Sequence, residues 1–119
     1  MRRTLVAVLI LATMAGARGA GELPTVRSVR SLTPDGGLMP TFFPDGKRIA
    51  YVRSTADGEQ QLWMLTIETG KATRVGDIDG AEWPAVSPDG LSIAYVAGPV
   101  FARRILVVTV ADGEARALT

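Results

Sequence analysis

Two side chains on which most enzyme active sites depend are missing from this chain. Its 119 residues include no histidine and no cysteine. Without histidine, the usual general base near neutral pH and the commonest metal ligand are absent, and a Ser-His-Asp or Cys-His triad cannot be built from this chain alone. Without cysteine, no disulfide, thiolate zinc site or acylated lipoprotein cysteine can form. The sequence therefore predicts no enzymatic activity, no metal site and no cofactor.

Two Pro-Asp-Gly triplets carry the most conspicuous carboxylates. Asp45 and Asp89 could bind Ca²⁺ through oxygen, but they lie 44 residues apart, whereas calcium loops cluster their acidic positions. In such triplets proline pre-sets the first turn residue and glycine accepts a positive φ. We therefore interpret six residues as structural turns: Pro44, Asp45, Gly46, Pro88, Asp89 and Gly90.

A second set of side chains could bind a partner. An acidic group near residue 80 could attract a cation or a basic partner, although a solvated connecting loop is the favoured interpretation. A tryptophan just before Pro84 is of a type enriched at interaction hot spots, whereas Trp63 lies within an apolar run and is predicted to be core. Two adjacent arginines could reach an acidic partner. The candidates are Trp83, Asp77, Asp79, Glu82, Arg103 and Arg104.

An internal repeat supplies the elements that must position these residues. Pro40–Val52 aligns with Pro84–Val96 at an offset of 44, and Leu62–Ile67 aligns with Ile105–Val110 at an offset of 43. One residue is lost between the second and third strands, where a loop tolerates the change. The strands are predicted at 38–43, 47–53, 60–67 and 72–75, and at 81–87, 92–97, 103–110 and 115–118.

The strands are apolar on both faces. Ile49 and Tyr51 point one way while Ala50 and Val52 point the other. Such strands need a sheet that is covered on both sides, as in stacked propeller blades. We therefore predict an all-β partial β-propeller of two four-stranded antiparallel blades. One outer strand at 29–33, which resembles the chain end at 116–119, and an N-terminal signal helix precede them.

The first residues have the three-part layout of a secretory signal. Arg2 and Arg3 precede an apolar run of 11 residues, Leu5–Ala15, which is shorter than the ~20 residues that span a bilayer. We predict a signal peptide at 1–17, a linker at 18–28, the blades at 29–119, and a periplasmic or secreted protein without a permanent membrane span. Cleavage leaves 11 basic and 12 acidic residues, a balance that gives no reason to expect a nucleic-acid partner.

The two matched segments point to a family. Thr41–Val52 and Ala85–Val96 resemble the WD40-like PD40 repeat of TolB-type β-propellers, and Gln61–Leu65 with Thr69-Gly70 resembles its next part. The resemblance implies a periplasmic, non-enzymatic propeller that docks partner proteins of the Tol–Pal envelope system. TolB proteins carry an α/β domain before the propeller and close six blades, and this sequence departs from both features. The same repeat is similar to blades of prolyl-oligopeptidase-type peptidases.

Two blades are few for this architecture. Propellers typically have about four to eight blades, and repeat architectures need about three units. The chain could be a fragment of a longer gene product, could assemble with itself (three copies giving six blades), or could be an adapter or a decayed remnant. Its function is predicted to be that of a protein-interaction module resembling TolB. The alternative is the accessory propeller portion of a secreted prolyl-oligopeptidase-type serine peptidase, and a carbohydrate-binding propeller remains a third interpretation.

The exported chain is expected to begin at Arg18, because Ala15 and Ala17 place small residues at the two positions that signal peptidase inspects. N-terminal sequencing of the chain recovered from the periplasm tests this. A start at Ala20 or Gly21 would correspond to cleavage after Gly19 or Ala20. An exported chain that keeps Met1 would contradict the signal peptide.

Overall fold

The structure is a computed structural model that describes residues 23, 25–26 and 28–119. In this part of the chain all regular structure is β, in eight strands and without a helix. In chain order they are β1 (Leu38–Phe42), β2 (Arg48–Ser54), β3 (Gln60–Thr66), β4 (Lys71–Asp79), β5 (Glu82–Val86), β6 (Ser92–Ala97), β7 (Arg104–Thr109) and β8 (Ala115–Ala117). The predicted signal peptide and most of the predicted linker lie outside the described residues.

The strands form two separate four-stranded antiparallel sheets. One has the order β1-β2-β3-β4 and the other β5-β6-β7-β8, so each strand pairs with its neighbour in sequence. This confirms the two predicted blades. The element that differs most is β4, which was predicted to end at residue 75 and runs on to Asp79. Gly80 and Ala81 alone then connect it to β5, and both donate their backbone N–H groups to the carbonyl oxygen of Gln60, at 2.8 and 3.1 Å.

The predicted outer strand at 29–33 is not formed as a strand. Ser31 makes an isolated β-bridge, and a turn follows in which the N–H of Gly36 donates to the carbonyl oxygen of Thr33 at 2.9 Å. Pro34 has no N–H to give to a strand ladder. Within the described residues this segment pairs only through the Ser31 bridge, so the predicted strand at 29–33 is reduced to a single bridge.

Each blade has two apolar faces, and the register assigns every side chain to one of them. On the first blade, Ala50 lies opposite Met64 and Val52 opposite Leu62. We call this side, with its counterparts Ala94, Val96, Ile105 and Val107 on the second blade, the leading face. The other side of each blade is the trailing face. It comprises Ile49, Tyr51, Trp63 and Leu65 on the first blade, and Ile93, Tyr95, Leu106 and Val108 on the second.

The core is the contact between the leading face of the first blade and the trailing face of the second. Ala50 and Leu62 pack there against Ile93 and Val108, each with 0% of its surface exposed. The remaining buried members of this cluster are Phe43, Val75, Ala81 and Tyr95. Stacking through side chains, rather than pairing between sheets, therefore holds the two blades together.

The repeat extends to an unusual backbone feature near the start of the first strand of each blade, β1 and β5, which we call the inner strands. Met39 and Trp83, which are 44 residues apart, have φ values of 54° and 53°. Each precedes a proline, and each lies at a register shift in the pairing of its strand. Since proline cannot donate to the ladder, a bulge is the arrangement that a strand tolerates there. A positive φ at a non-glycine residue costs of order 1–3 kcal/mol.

The Pro-Asp-Gly triplets at 44–46 and 88–90 lie in turns between the first and second strands of each blade. The Asp45 carboxylate accepts the backbone N–H of Lys47 at 2.9 Å, and the Asp89 carboxylate accepts that of Leu91 at 2.9 Å. The Lys47 N–H lowers the pKa of Asp45 below its ordinary value. The pKa of Asp89 is lowered chiefly by the hydroxyl of Ser87, which donates to it, and then by the Leu91 N–H.

Alanine substitutions at two equivalent positions should differ in cost. Leu62 is 0% exposed whereas its counterpart Ile105 is 44% exposed. Leu62→Ala is expected to lower the free energy of unfolding by about 2–5 kcal/mol, and Ile105→Ala by clearly less, because less apolar contact is lost. Urea unfolding of the two variants measures this. Equal losses would contradict the stacking of the second blade on the first.

Asp89→Asn should remove part of the acid sensitivity of the fold. The lowered pKa of Asp89 means that its carboxylate stabilises the fold above the unfolded-state pKa of about 3.9, and that this contribution is lost as the pH falls through the lower folded-state value. Asparagine keeps an oxygen acceptor for the Leu91 N–H. The urea midpoints of variant and parent should therefore differ most near neutral pH and converge below pH ~3.9. A difference that does not change with pH would contradict this role of the charge.

Candidate functional site

The candidate partner-binding residues gather at one end of the two sheets. Because neighbouring strands are antiparallel, the end of β4, the start of β5 and the connections after β2 and β6 share one edge. We call this edge, residues 54–60, 77–83 and 97–104, the loop end. The two Pro-Asp-Gly turns lie at the opposite end of the sheets. Trp83, Asp77, Asp79, Glu82, Arg103 and Arg104 all belong to the loop end.

The acidic group does not lie in a connecting loop, as the sequence was interpreted. Asp77 and Asp79 are in the last residues of β4, and Glu82 is the first residue of β5. Arg74 lies between the two aspartates, with its guanidinium 3.3 Å from Asp77 and 3.1 Å from Asp79. It also donates to the carbonyl oxygen of Ile78 at 3.2 Å. The bulge in β4 causes this placement, because it turns the strand end around the Arg74 side chain.

The adjacent arginines Arg103 and Arg104 have different roles. Arg103 forms an ion pair with Glu82, which ties the hairpin connection between β6 and β7 to the start of β5. Arg104 begins β7 and is exposed. Arg104 is therefore the one of the pair that the described structure leaves available to an acidic partner, while Arg103 positions the hairpin.

Trp83 is 64% exposed at the start of the first strand of the second blade. Its backbone N–H donates to the Sδ atom of Met39 at 3.2 Å, so its main chain touches the first blade. Trp63 is only half-buried, with its N–H directed to Gln61 at 3.2 Å and the Arg53 guanidinium 5.0 Å from its ring centre. The prediction that Trp63 is a core residue is therefore met only in part.

Sequence reasoning missed the most exposed apolar residues of the loop end. Val100 and Phe101, in the hairpin connection between β6 and β7, are 74% and 99% exposed. The N–H of Ala102 donates to the carbonyl oxygen of Pro99 at 2.8 Å, which closes the turn that presents them. The corresponding connection of the first blade, residues 55–59, is Thr-Ala-Asp-Gly-Glu. The signal in the sequence was this change from polar to apolar residues at a loop position of the repeat.

The loop end carries exposed aromatic and charged side chains that are suited to contact with a partner. Among the described residues, no three histidine, cysteine or carboxylate side chains come together to hold a metal ion. Ser87 lies at the other end of the sheets, where its hydroxyl donates to Asp89. The loop end thus offers an exposed aromatic tip, a free arginine and two partly neutralised aspartates.

The part of the chain that the structure describes contains no helix of the length and apolar character needed to cross a bilayer.

Solved structures with the same fold include bacterial TolB proteins. TolB from Acinetobacter baumannii superposes with a TM-score of 0.69 at 23% identity, over 78% of this chain and 24% of the other. A putative TolB from Agrobacterium tumefaciens gives a TM-score of 0.69 at 25% identity, over 76% of this chain and 33% of the other. The chain therefore has a TolB-like β-propeller fold, and it spans about a quarter to a third of these relatives' length.

Enzymes share the same blades. The acylaminoacyl peptidase of Pyrococcus horikoshii matches with a TM-score of 0.54 at 22% identity, over 70% of this chain and 13% of that one. No family model matches the sequence, and a search of curated proteins finds no match. The resemblance to the PD40 repeat thus stays a prediction, while the propeller fold is established.

Proposed function

We propose that this chain is an exported, non-enzymatic β-propeller segment that binds protein partners of the cell envelope through its loop end. The observation that carries this proposal is Phe101, a side chain 99% exposed on a closed turn, at a loop position where the first blade is polar. Repeated positions hold the fold together, so a position that departs from the repeat toward an exposed aromatic residue has no structural reason in the blade itself.

The surroundings of Phe101 have the composition of a protein interface. Aromatic residues and arginine are the commonest anchors of such interfaces, and a polar, solvent-accessible rim surrounds them. Here the aromatic residues are Phe101 and Trp83. The charged rim consists of Asp77, Asp79, Glu82, Arg103 and Arg104. The mixture of signs favours a protein over a nucleic acid, because nucleic acids require a predominantly basic surface.

The similarity to TolB structures supports a periplasmic location and envelope proteins as the partner class. The TolB resemblance implies partners in the Tol–Pal system, and the match covers only 24–33% of the TolB chains. The role of the whole TolB protein is therefore transferred here only as a proposal, and the signal peptide at 1–17 is part of that proposal.

Replacing Phe101 should weaken partner binding strongly without affecting the fold. A hot-spot side chain contributes about 2 kcal/mol or more, so Phe101→Asp is expected to weaken binding at least ~30-fold. The matched control is Leu91→Lys, which changes a side chain 63% exposed at the opposite end of the sheets to the residue that the first blade has there, Lys47. Purified Pal and periplasmic proteins captured on the immobilised chain are titrated against each variant by calorimetry.

The expected result is binding that Leu91→Lys preserves and that Phe101→Asp weakens at least ~30-fold, with unchanged circular dichroism spectra. Equal binding by both variants would show that the loop end is not the interface. Failure of Pal and every purified periplasmic protein to bind the parent chain would overturn the envelope role itself.

The accessory propeller of a secreted prolyl-oligopeptidase-type serine peptidase is the second candidate. The match to the acylaminoacyl peptidase of P. horikoshii favours it. Under this hypothesis the blades gate access to a hydrolase domain, and the nucleophile lies outside this chain. Sequencing the gene beyond the codon for Thr119 distinguishes the two, because this candidate requires a Gly-x-Ser-x-Gly nucleophile elbow in the same reading frame.

A further inference from the structure

We propose that Met39 is a modification site: a peroxide oxidises its thioether to the sulfoxide, and this weakens the contact between the two blades along the inner strands β1 and β5. The modification is reversible, because reductases convert methionine sulfoxide back to methionine. The site lies where the blades meet rather than at the loop that presents Phe101. The inference therefore holds whether or not that loop binds a partner.

The chain has few side chains that such an oxidant attacks reversibly. It contains no cysteine, and two of its four methionines, Met1 and Met14, belong to the predicted signal peptide. The remaining two are Met39 and Met64. A thioether is polarizable and packs well in irregular apolar gaps, but it becomes polar and chiral on oxidation. The response of the exported chain to a mild peroxide is therefore concentrated in these two residues.

Both thioethers lie where the two blades meet. Met39, the second residue of β1, accepts the backbone N–H of Trp83 in β5, with 3.2 Å between sulfur and nitrogen. Met64 is on the leading face of the first blade, where it packs against the core cluster. Its sulfur is 3.7 Å from the Arg48 guanidinium, which itself lies 3.8 Å from the place of a Cβ on Gly90 of the second blade. A change at either sulfur is thus a change at the blade interface.

The two sulfurs differ in their access to solvent. Both chain neighbours of Met39 are exposed, and Trp83, whose N–H it accepts, is 64% exposed. Met64 lies opposite Ala50, which is 0% exposed, and its contact with the guanidinium is partly buried. Since oxygen transfer requires the peroxide to reach the sulfur atom, Met39 is expected to react before Met64.

The oxidation transfers one oxygen atom to sulfur. With hydrogen peroxide, a lone pair of the Met39 sulfur attacks one peroxide oxygen, and the O–O bond breaks as the S–O bond forms. The displaced hydroxide takes the proton from the transferred oxygen and leaves as water. Sulfur is oxidised by two electrons and the peroxide is reduced.

The surroundings of the Trp83 N–H decide the effect on the blades. Trp83 lies within the register shift between β5 and β6, and its N–H is donated to the Met39 sulfur. A sulfoxide oxygen that accepted this N–H would need about 2.9 Å from the nitrogen, and the 3.2 Å between sulfur and nitrogen leaves no room for it. The modified side chain therefore withdraws, and the N–H loses its acceptor. The polar S–O group favours the same movement, because an apolar interface offers it no hydrogen bond.

Peroxide treatment of the purified exported chain tests the proposal. Peptide mass spectrometry is expected to find oxygen added to Met39 before Met64, together with a fall in melting temperature of about 4–8 °C, the shift for one ordinary hydrogen bond in a domain of this size. Methionine sulfoxide reductases for both epimers should restore the original melting temperature. These readings use the parent chain and do not depend on the folding of a variant.

The same substitution at each methionine assigns the effect to one of them. Met39→Leu nearly keeps the volume but removes the acceptor, so the untreated variant should melt near the oxidised parent, and peroxide should lower its melting temperature no further. Met64→Leu should retain the fall caused by peroxide. Absence of oxidation at Met39, or an unchanged or raised melting temperature once it is oxidised, would overturn the proposal. A fall that Met64→Leu removes and Met39→Leu keeps would also overturn it.

Discussion

The structure depends on one contact, the stacking of the first blade's leading face against the second blade's trailing face. Each four-stranded sheet is apolar on both sides, so neither sheet alone can bury its side chains. Of the buried residues named in the core cluster, most come from β2, β3, β6 and β7, the central strands of the two sheets. The hydrogen bonds that run within each sheet define the blades, whereas apolar contact between the sheets defines their association.

This stacking also explains which sequence features repeat and which do not. The central strands, the Pro-Asp-Gly turns and the left-handed bulge at Met39 and Trp83 recur because every blade must pack and turn in the same way. The connection between the second and third strands of each blade supplies no residue to the core cluster. It is free to differ, and it differs by one residue in length and by the change from an Asp-Gly loop to one that presents Val100 and Phe101. The part of the blade that is least constrained by packing is thus where we place the interaction surface.

The exposed residues of the second blade belong to two surfaces of different kinds, the loop end and the side of the sheet. Phe101, in a loop, and Arg104, at the start of β7, lie at the end of the sheets, where no blade would cover them in a stacked array. Ile105 and Trp83 lie where the neighbouring blade would sit, by comparison with Leu62 and Met39. Exposure alone does not distinguish these two groups, because all of these residues have accessible surface. They are distinguished by the equivalent position of the first blade, which is buried or half-buried for the residues at the side of the sheet and polar for the loop.

Sequence alone determined the two blades, their strand order and their turns, because alternation of apolar residues, turn chemistry and a 44-residue repeat are all local properties of the chain. It also excluded histidine and cysteine chemistry outright. Only the tertiary structure decided that Asp77 and Asp79 end a strand around Arg74, that Arg103 is occupied by Glu82, and that residues 29–33 form a single bridge rather than a strand. Those outcomes depend on which groups distant in sequence come within contact distance, and the pattern of residues along one chain does not contain that information.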